Sequence, residues 1–107
     1  MERKELKSTK NVFLKIDHVD NTLIALMNNE ELYAESVEND PYLGLMLNLS
    51  PYLKAGNNIL RLYGLNHGGP SHFSFKVIED GYTVIDVDKR YSANGLVDKW
   101  AYNFNIG

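Results

Sequence analysis

The feature that most constrains this chain is a two-residue alternation of apolar and polar side chains in short runs. The clearest run closes the chain, where Trp100, Tyr102, Phe104 and Ile106 alternate with Ala101, Asn103 and Asn105. Successive side chains of a strand point to opposite faces, so this run predicts a strand with one buried face. Similar runs recur along the chain at the spacing of about 8 to 12 residues that is typical of β-sandwiches and barrels. The chain shows no amphipathic helical segment of useful length.

Turn-forming residues separate these runs. The Asn28-Asn29 pair suits the positive φ angles of a hairpin turn, and the loop at residues 38–41 (ENDP) ends in a proline that disfavours helix before it. Residues 50–56 (SPYLKAG) predict a single helical turn, with Ser50 as its N-cap and Gly56 as its stop. The polar stretch at residues 88–98 is expected to be a connection.

We therefore predict an all-β chain that folds as an antiparallel, jelly-roll-like β-sandwich of about eight strands. Residues 11–107 are expected to form a single sandwich domain. Residues 1–10 carry four basic and two acidic side chains and almost no apolar surface, which indicates a flexible or edge-lying N-terminal tail.

Composition excludes several kinds of chemistry. The chain has no cysteine, so thiol catalysis, thiolate metal sites and disulfides are excluded. Its net charge of −3 offers no basic face for nucleic acid. The charged N-terminus does not fit a secretory signal, and no apolar run approaches the about 18 residues needed to span a bilayer. We expect a soluble chain without nucleic-acid or membrane partners, and a cytoplasmic location by default.

Three separated segments resemble one family of β-sandwiches. Residues 16–32 (IDHVDNTLIALMNNEEL) resemble an Asp-rich turn followed by a strand and an Asn-rich turn. Residues 47–63 (LNLSPYLKAGNNILRLY) and residues 66–70 (NHGGP) resemble the turn and the loop that come next. The pattern is similar to the galactose-binding-like, jelly-roll carbohydrate-binding modules found with glycoside hydrolases. This resemblance implies the sandwich fold, an accessory role that is often sugar binding, and in many members a structural calcium ion.

Two groups of residues are candidates for metal binding. The chain has three histidines, and His67 and His72 flank the Gly-Gly-Pro turn. That spacing does not place the two side chains on one face, and no carboxylate lies close by in the sequence to complete a set of metal ligands. We therefore expect surface histidines in a loop. Asp17, Asp20 and Asn21 offer oxygen ligands for a structural calcium ion, as do Asn39 and Asp40. Hydrogen bonding within turns is the simpler interpretation of both groups. No other cofactor is expected.

A sugar site needs an aromatic platform and planar polar groups. Trp100 is in phase with the last apolar row, so we expect a core position, with a binding platform as the alternative. Candidate ligand-binding residues are drawn from boundary tyrosines and loop polar groups: Tyr42, Asn66, His67, His72, Tyr82 and Tyr91. No catalytic motif is present, and the short chain leaves no second layer for a catalytic pocket, so we do not expect an enzyme.

Two functional hypotheses follow. The first is a non-catalytic, lectin-like module that binds carbohydrate through loop aromatic and amide side chains. The alternative is a protein-interaction or assembly module without a sugar ligand, whose aromatic faces and edge strands build a homo-oligomer. Oligomerisation would also give avidity to a single-site lectin.

Overall fold

The computed structural model describes residues 1–6 and 11–106. They form nine strands: β1 (Glu2–Leu6), β2 (Val12–Asp20), β3 (Thr22–Met27), β4 (Glu30–Ser36), β5 (Leu45–Asn48), β6 (Gly56–Asn66), β7 (Ser71–Glu79), β8 (Tyr82–Tyr91) and β9 (Gly95–Ile106). A short 3₁₀ turn, Ser50–Tyr52, links β5 to β6. None of the helical structure in the described part of the chain has the length and apolarity of a membrane-spanning helix.

The strands build two packed sheets. One sheet has five strands in the order β1-β9-β6-β3-β4, and the other has four in the order β5-β2-β7-β8. All neighbouring strands are antiparallel except β1, which runs parallel to β9. The prediction of an all-β, mostly antiparallel sandwich is therefore confirmed. The chain passes repeatedly from one sheet to the other, as a jelly-roll-like arrangement requires.

The core lies between the sheets and follows the alternation seen in the sequence. On β9 the side chains of Tyr102, Phe104 and Ile106 are buried as predicted. Trp100 is half-buried and meets Phe73 and Phe75 edge-on, with ring centroids 6.0 and 5.2 Å away. Trp100 therefore packs against the core.

Two local turns are formed as the sequence indicates, with one difference. Asn28 and Asn29 have φ angles of 50° and 67°, which are the positive values of the predicted hairpin turn. In the 3₁₀ turn the N-cap position is occupied by Leu49 and not by Ser50. The hydroxyl of Ser50 instead accepts a hydrogen bond from the backbone N–H of Val12 at 3.1 Å.

Strands extend further than the sequence indicates at two places. The expected connection at residues 88–98 is largely strand, because β8 runs to Tyr91 and β9 begins at Gly95. In the segment expected to be a flexible or edge-lying tail, residues 2–6 form β1 at the edge of the five-stranded sheet, and Leu6 is buried. The rest of that segment, residues 7–10, lies outside the described residues.

Candidate functional site

The connection between β4 and β5 positions the candidate functional groups. Residues 37–44, here called the crossover segment, link β4 in one sheet to β5 in the other. The N–H of Val37 donates to the carbonyl of Asn21 and the N–H of Leu43 donates to the carbonyl of Asp17, both at 2.7 Å. These two hydrogen bonds hold both ends of the crossover segment against the end of β2.

The strand pairing brings two histidines together beneath this segment. An irregularity in the pairing of β2 with β7 at Asp17 shifts the alternation, so that Val19 is buried in the core and His18 points to the outer face. On β7, His72 lies opposite Asp20 and therefore diagonally across from His18. The two imidazole rings stack with centroids 4.3 Å apart and planes inclined by 27°.

Asp40 of the crossover segment binds both rings. His18 Nδ1 donates to Asp40 Oδ1 at 2.9 Å, and His72 Nδ1 lies 3.0 and 2.9 Å from the two carboxylate oxygens of Asp40. On the other side of its ring, His72 Nε2 donates to Asp88 Oδ1 on β8 at 2.6 Å. The side chain of His72 is only 6% exposed, against 23% for His18 and 28% for Asp40. We call His18, Asp40 and His72 the histidine–aspartate cluster.

Negative charge accumulates around this cluster. The pKa of Asp20 is raised first by burial and then by the negative charges of Asp40 and Glu38. Asp88 adds a further carboxylate through its bond to His72. Arg90 stands at the rim, with Nη1 3.7 Å from Asp40 Oδ2. The cluster therefore sits in a surrounding that favours a cation.

Tyr42 provides an exposed aromatic ring beside the cluster. It is 63% exposed and meets His18 edge-on, with centroids 5.9 Å apart and planes at 70°. Lys15 Nζ lies 5.6 Å from the ring centroid, and its hydrogen bond to Tyr42 is the main cause of the raised pKa of Lys15. Gly44 has a φ of +56°, and a Cβ added there would lie 2.9 Å from the Tyr42 ring. Gly44 thus leaves room for the ring.

The other predicted ligand-binding residues have different surroundings. Asn66 is buried, and its side-chain NH₂ donates to the carbonyls of Gly69 and Ala93 at 2.7 and 2.8 Å. His67 is exposed, and its Nε2 lies 2.8 Å from the Thr22 hydroxyl. Asn66 therefore holds the surrounding loops together, and His67 lies apart from the histidine–aspartate cluster.

Tyr91 and Tyr82, the two remaining predicted residues, also have different surroundings. Tyr91 packs against Phe73, with centroids 6.2 Å apart, and its hydroxyl donates to the carboxylate of Asp98. Burial, followed by this hydrogen bond, raises the pKa of Tyr91. Tyr82 is 77% exposed but lies at the opposite end of the sandwich, directly after the β7–β8 turn. Of the six predicted ligand-binding residues, the structure therefore joins Tyr42 and His72, which both contact His18.

The expectation for His72 needs correction. His72 is not a surface loop residue, because it lies within β7 and is buried. Calcium binding at Asp17, Asp20 and Asn21 stays a prediction, and the three residues have different neighbours. Asp17 pairs with Lys15 Nζ at 3.5 Å, and Asn21 Oδ1 accepts the N–H of His67 at 2.8 Å. Asp20 lies beside Asp40.

Sequence reasoning missed His18 and Asp88 as partners of His72, and it considered Asp40 only as an oxygen ligand for calcium. The members of the cluster come from β2, β7 and the crossover segment, far apart in the chain. His72 is out of phase with the buried Phe73 and Phe75, which was an available signal. His18 gave none, because it is in phase with Leu14 and Ile16 until the irregularity at Asp17 reverses the alternation.

Comparison with protein-family models, with characterised proteins and with solved structures finds no match for this chain. Its function is therefore inferred from the chemistry of the site.

Proposed function

We propose that this chain is a non-catalytic, lectin-like carbohydrate-binding module, with its binding surface at Tyr42 and the adjoining outer face of the four-stranded sheet. The observation that carries the proposal is the exposed, fixed ring of Tyr42. An aromatic ring of this kind offers a platform for the apolar face of a sugar ring. The resemblance of three segments to galactose-binding-like modules agrees with this assignment.

Polar groups suited to sugar hydroxyls lie near that platform. The carboxylate of Asp88 and the guanidinium of Arg90 are about two-thirds exposed, at 67% and 71%. Both groups are planar and carry several hydrogen-bonding atoms, which fits them to adjacent hydroxyls on a ring. The combination of an apolar platform with a few convergent polar groups is typical of small-molecule sites.

The arrangement favours binding over hydrolysis. Glycoside hydrolysis requires two carboxyl groups that flank the scissile bond at a defined separation. Asp40 and Asp88 instead both bind the buried ring of His72, on its two opposite nitrogens. Their shared role is to hold the histidine ring, so the proposal assigns no catalytic residue.

The first test compares two exposed tyrosines at opposite ends of the molecule. A glycan array identifies a ligand, and calorimetric titration then measures its dissociation constant with the wild type, Tyr42→Ala and Tyr82→Ala. We expect Tyr42→Ala to weaken binding by about tenfold or more, as the loss of an aromatic contact of about 1.4 kcal/mol requires. Tyr82→Ala should leave the affinity unchanged. The proposal fails if no glycan binds the wild type, or if both variants lose affinity equally.

The second candidate is a protein-interaction or assembly module, and the free edge of β9 favours it. β1 pairs only with residues 102–106 of β9, so residues 95–101 have no strand partner on that side among the described residues. A shallow cavity of about 480 Å³, lined partly by Trp100 and Tyr63, adjoins this edge. Exposed strand edges are templates for pairing with another chain. Size-exclusion chromatography with light scattering decides: a stable oligomer supports assembly, and a monomer at all concentrations argues against it.

A further inference from the structure

We propose that the histidine–aspartate cluster is a binding site for one divalent transition-metal ion, with zinc as the best-matched ion. The ligands are His18 Nδ1, His72 Nδ1 and the carboxylate of Asp40, and Asp88 supports the ring of His72 from behind. The proposal goes beyond carbohydrate binding and does not depend on it.

The spacing of the three ligands matches what such an ion needs. Zinc binds histidine nitrogen and carboxylate oxygen at about 2.0–2.2 Å in tetrahedral geometry, which places neighbouring ligand atoms about 3.3–3.5 Å apart. The Nδ1 atoms of His18 and His72 already lie 2.9–3.0 Å from Asp40 oxygens, and the three ligand atoms fall within 4.8 Å of one another. Each nitrogen–oxygen pair therefore needs to lengthen by only a few tenths of an ångström to reach the separation of zinc ligands.

The bond between His72 and Asp88 is an independent observation that points to a metal. A histidine that ligates a metal through one nitrogen almost always donates its other N–H to a carboxylate, a carbonyl or water, which fixes the tautomer and strengthens the ligand. His72 Nε2 makes such a bond to Asp88 Oδ1 at 2.6 Å, while Nδ1 faces Asp40. The ring is thus oriented as a metal ligand by a carboxylate behind it.

Hydrogen-bond stoichiometry supports the same assignment. A neutral imidazole carries one N–H, but both nitrogens of the buried His72 ring face carboxylates. A cation between His72 Nδ1 and Asp40 satisfies both atoms while His72 keeps its single N–H for Asp88. The same cation replaces the hydrogen between His18 and Asp40 and offsets the surplus of negative charge from Asp20 and Asp88.

The donor set selects the type of ion. Calcium and magnesium prefer oxygen ligands, and calcium takes about six to eight of them, whereas imidazole nitrogen suits zinc and its first-row neighbours. Two imidazoles and one carboxylate leave the fourth tetrahedral position for water or a ligand, which is the arrangement of open zinc sites. We therefore expect selectivity for zinc and cobalt over calcium.

The test uses the full chain without a histidine tag and the metal ions alone as probes. Calorimetric titration with zinc sulfate should saturate at one ion per chain. Thermal unfolding should shift upward with zinc, because an ion at 100 times its dissociation constant raises the folded-to-unfolded ratio about 100-fold. Cobalt should give the visible absorption bands of a tetrahedral site and be displaced by zinc, whereas calcium should have no effect on unfolding.

Matched variants assign the site. His18→Gln and Asp40→Asn should each abolish saturable zinc binding, and Asp88→Asn should weaken it by about 10- to 100-fold, as expected for an outer partner. His67→Gln is the control, because His67 is an exposed histidine outside the cluster. Circular dichroism without metal checks that each variant folds. His18 is substituted in place of His72 because His18 is half-buried, whereas a substitution at the deeply buried His72 would disturb the packing of the sheet more.

The outcomes are distinct from those of the sugar test. The proposal is overturned if the wild type shows no saturable zinc binding, or if folded His18→Gln binds zinc as tightly as the wild type does. It is also overturned if His67→Gln removes the binding, since that result would indicate a loop histidine. Failure of glycan binding with intact zinc binding would remove the proposed function and leave the metal site standing.

Discussion

At the scale of single residues, buried amides organise the loops of this protein. The side chain of Asn58 is fully buried where β6 begins. Its carbonyl oxygen accepts the Asn28 side-chain NH₂ at 3.0 Å and the backbone N–H of Lys54 at 2.9 Å. Its own NH₂ donates to the carbonyls of Lys54, Gly56 and Phe104 at 2.8, 3.3 and 3.2 Å. One side chain thus satisfies groups from four places in the chain.

Asn58→Asp tests this role, because it keeps the shape of the side chain but removes both of its N–H donors. The carboxylate would face three carbonyl oxygens, so we expect the free energy of unfolding to fall by about 2–4 kcal/mol. Urea denaturation measures the change. Asn57→Asp, at the exposed neighbouring position, should stay within about 0.5 kcal/mol of the wild type. Equal effects at the two positions would contradict the proposed role of Asn58.

The prediction of Asn66 as a ligand residue depends on surroundings that the sequence does not show. Loop amides suit sugar hydroxyls, and in the structure the Asn66 NH₂ binds the carbonyls of Gly69 and Ala93 inside the loops. An amide bonds to a sugar hydroxyl and to a backbone carbonyl with the same atoms. Sequence alone therefore does not distinguish a ligand-binding asparagine from one that closes a loop.

At the scale of elements, strands with alternating apolar side chains were predictable, and the charged edge strand β1 was not. β9, and β2 as far as Ile16, follow the alternation because each buries one face against the opposite sheet. β1 carries charged residues throughout except for Leu6, since it lies at a sheet edge and is held mainly by backbone pairing with β9. Backbone pairing leaves little trace in side-chain composition, so this strand was not predicted.

The histidine–aspartate cluster was out of reach for a related reason. Asp40 meets His18 and His72 only because the crossover segment folds back over the outer face of the four-stranded sheet. The fold of that segment is determined by backbone bonds to β2, together with positive φ angles of 68° and 48° at Asn39 and Asp40. The sequence identified residues 38–41 as a loop, but its direction depends on both sheets being in place.

The β3–β4 hairpin turn offers a paired prediction at this scale. Its two asparagines share a backbone conformation with positive φ, but their side chains have different roles. Asn29 is exposed at a φ of 67°, and Asn29→Gly should raise the free energy of unfolding by about 0.5 kcal/mol because glycine adopts that region without strain. Asn28 donates to the Tyr52 carbonyl at 3.0 Å and accepts the Ile59 N–H at 2.9 Å. Asn28→Gly should therefore lower the free energy of unfolding by about 1–3 kcal/mol. Thermal and urea unfolding of both variants checks the opposite signs, and shifts in one direction would contradict it.

At the scale of the whole molecule, the core between the two sheets provides the stability, and the candidate binding groups lie outside that core. The crossover segment, the histidine–aspartate cluster and Tyr42 lie together, and the aromatic core row of β9 is on the other side of the four-stranded sheet. Changes at Tyr42 or His18 should therefore alter binding more than stability. The global stability depends instead on groups in and around the core. The buried tyrosines among them should make the free energy of unfolding depend on pH.

Tyr102 and Tyr91 predict a loss of stability in alkaline solution. Burial, reinforced by the negative charges of Glu2 and Asp98, raises the pKa of Tyr102 to about 12, and the pKa of Tyr91 is raised as well. An unfolded tyrosine ionises near pH 10, so between about pH 10 and 12 the unfolded chain binds fewer protons than the folded one. The free energy of unfolding is then unaffected by these groups below about pH 10 and falls as the pH rises through 12, by about 1–3 kcal/mol for Tyr102.

Urea denaturation at a series of pH values from about 8 to 12 measures this decline. Tyr102→Phe should reduce the slope without abolishing it, because phenylalanine has no proton to lose in either state while Tyr91 still contributes. Tyr82→Phe is the matched control at the exposed end of the β7–β8 hairpin, where the hydroxyl is open to water, and it should leave the slope as in the wild type. If Tyr102→Phe and the wild type lose stability in parallel above pH 10, other groups cause the alkaline transition and the burial of the Tyr102 hydroxyl has no part in it.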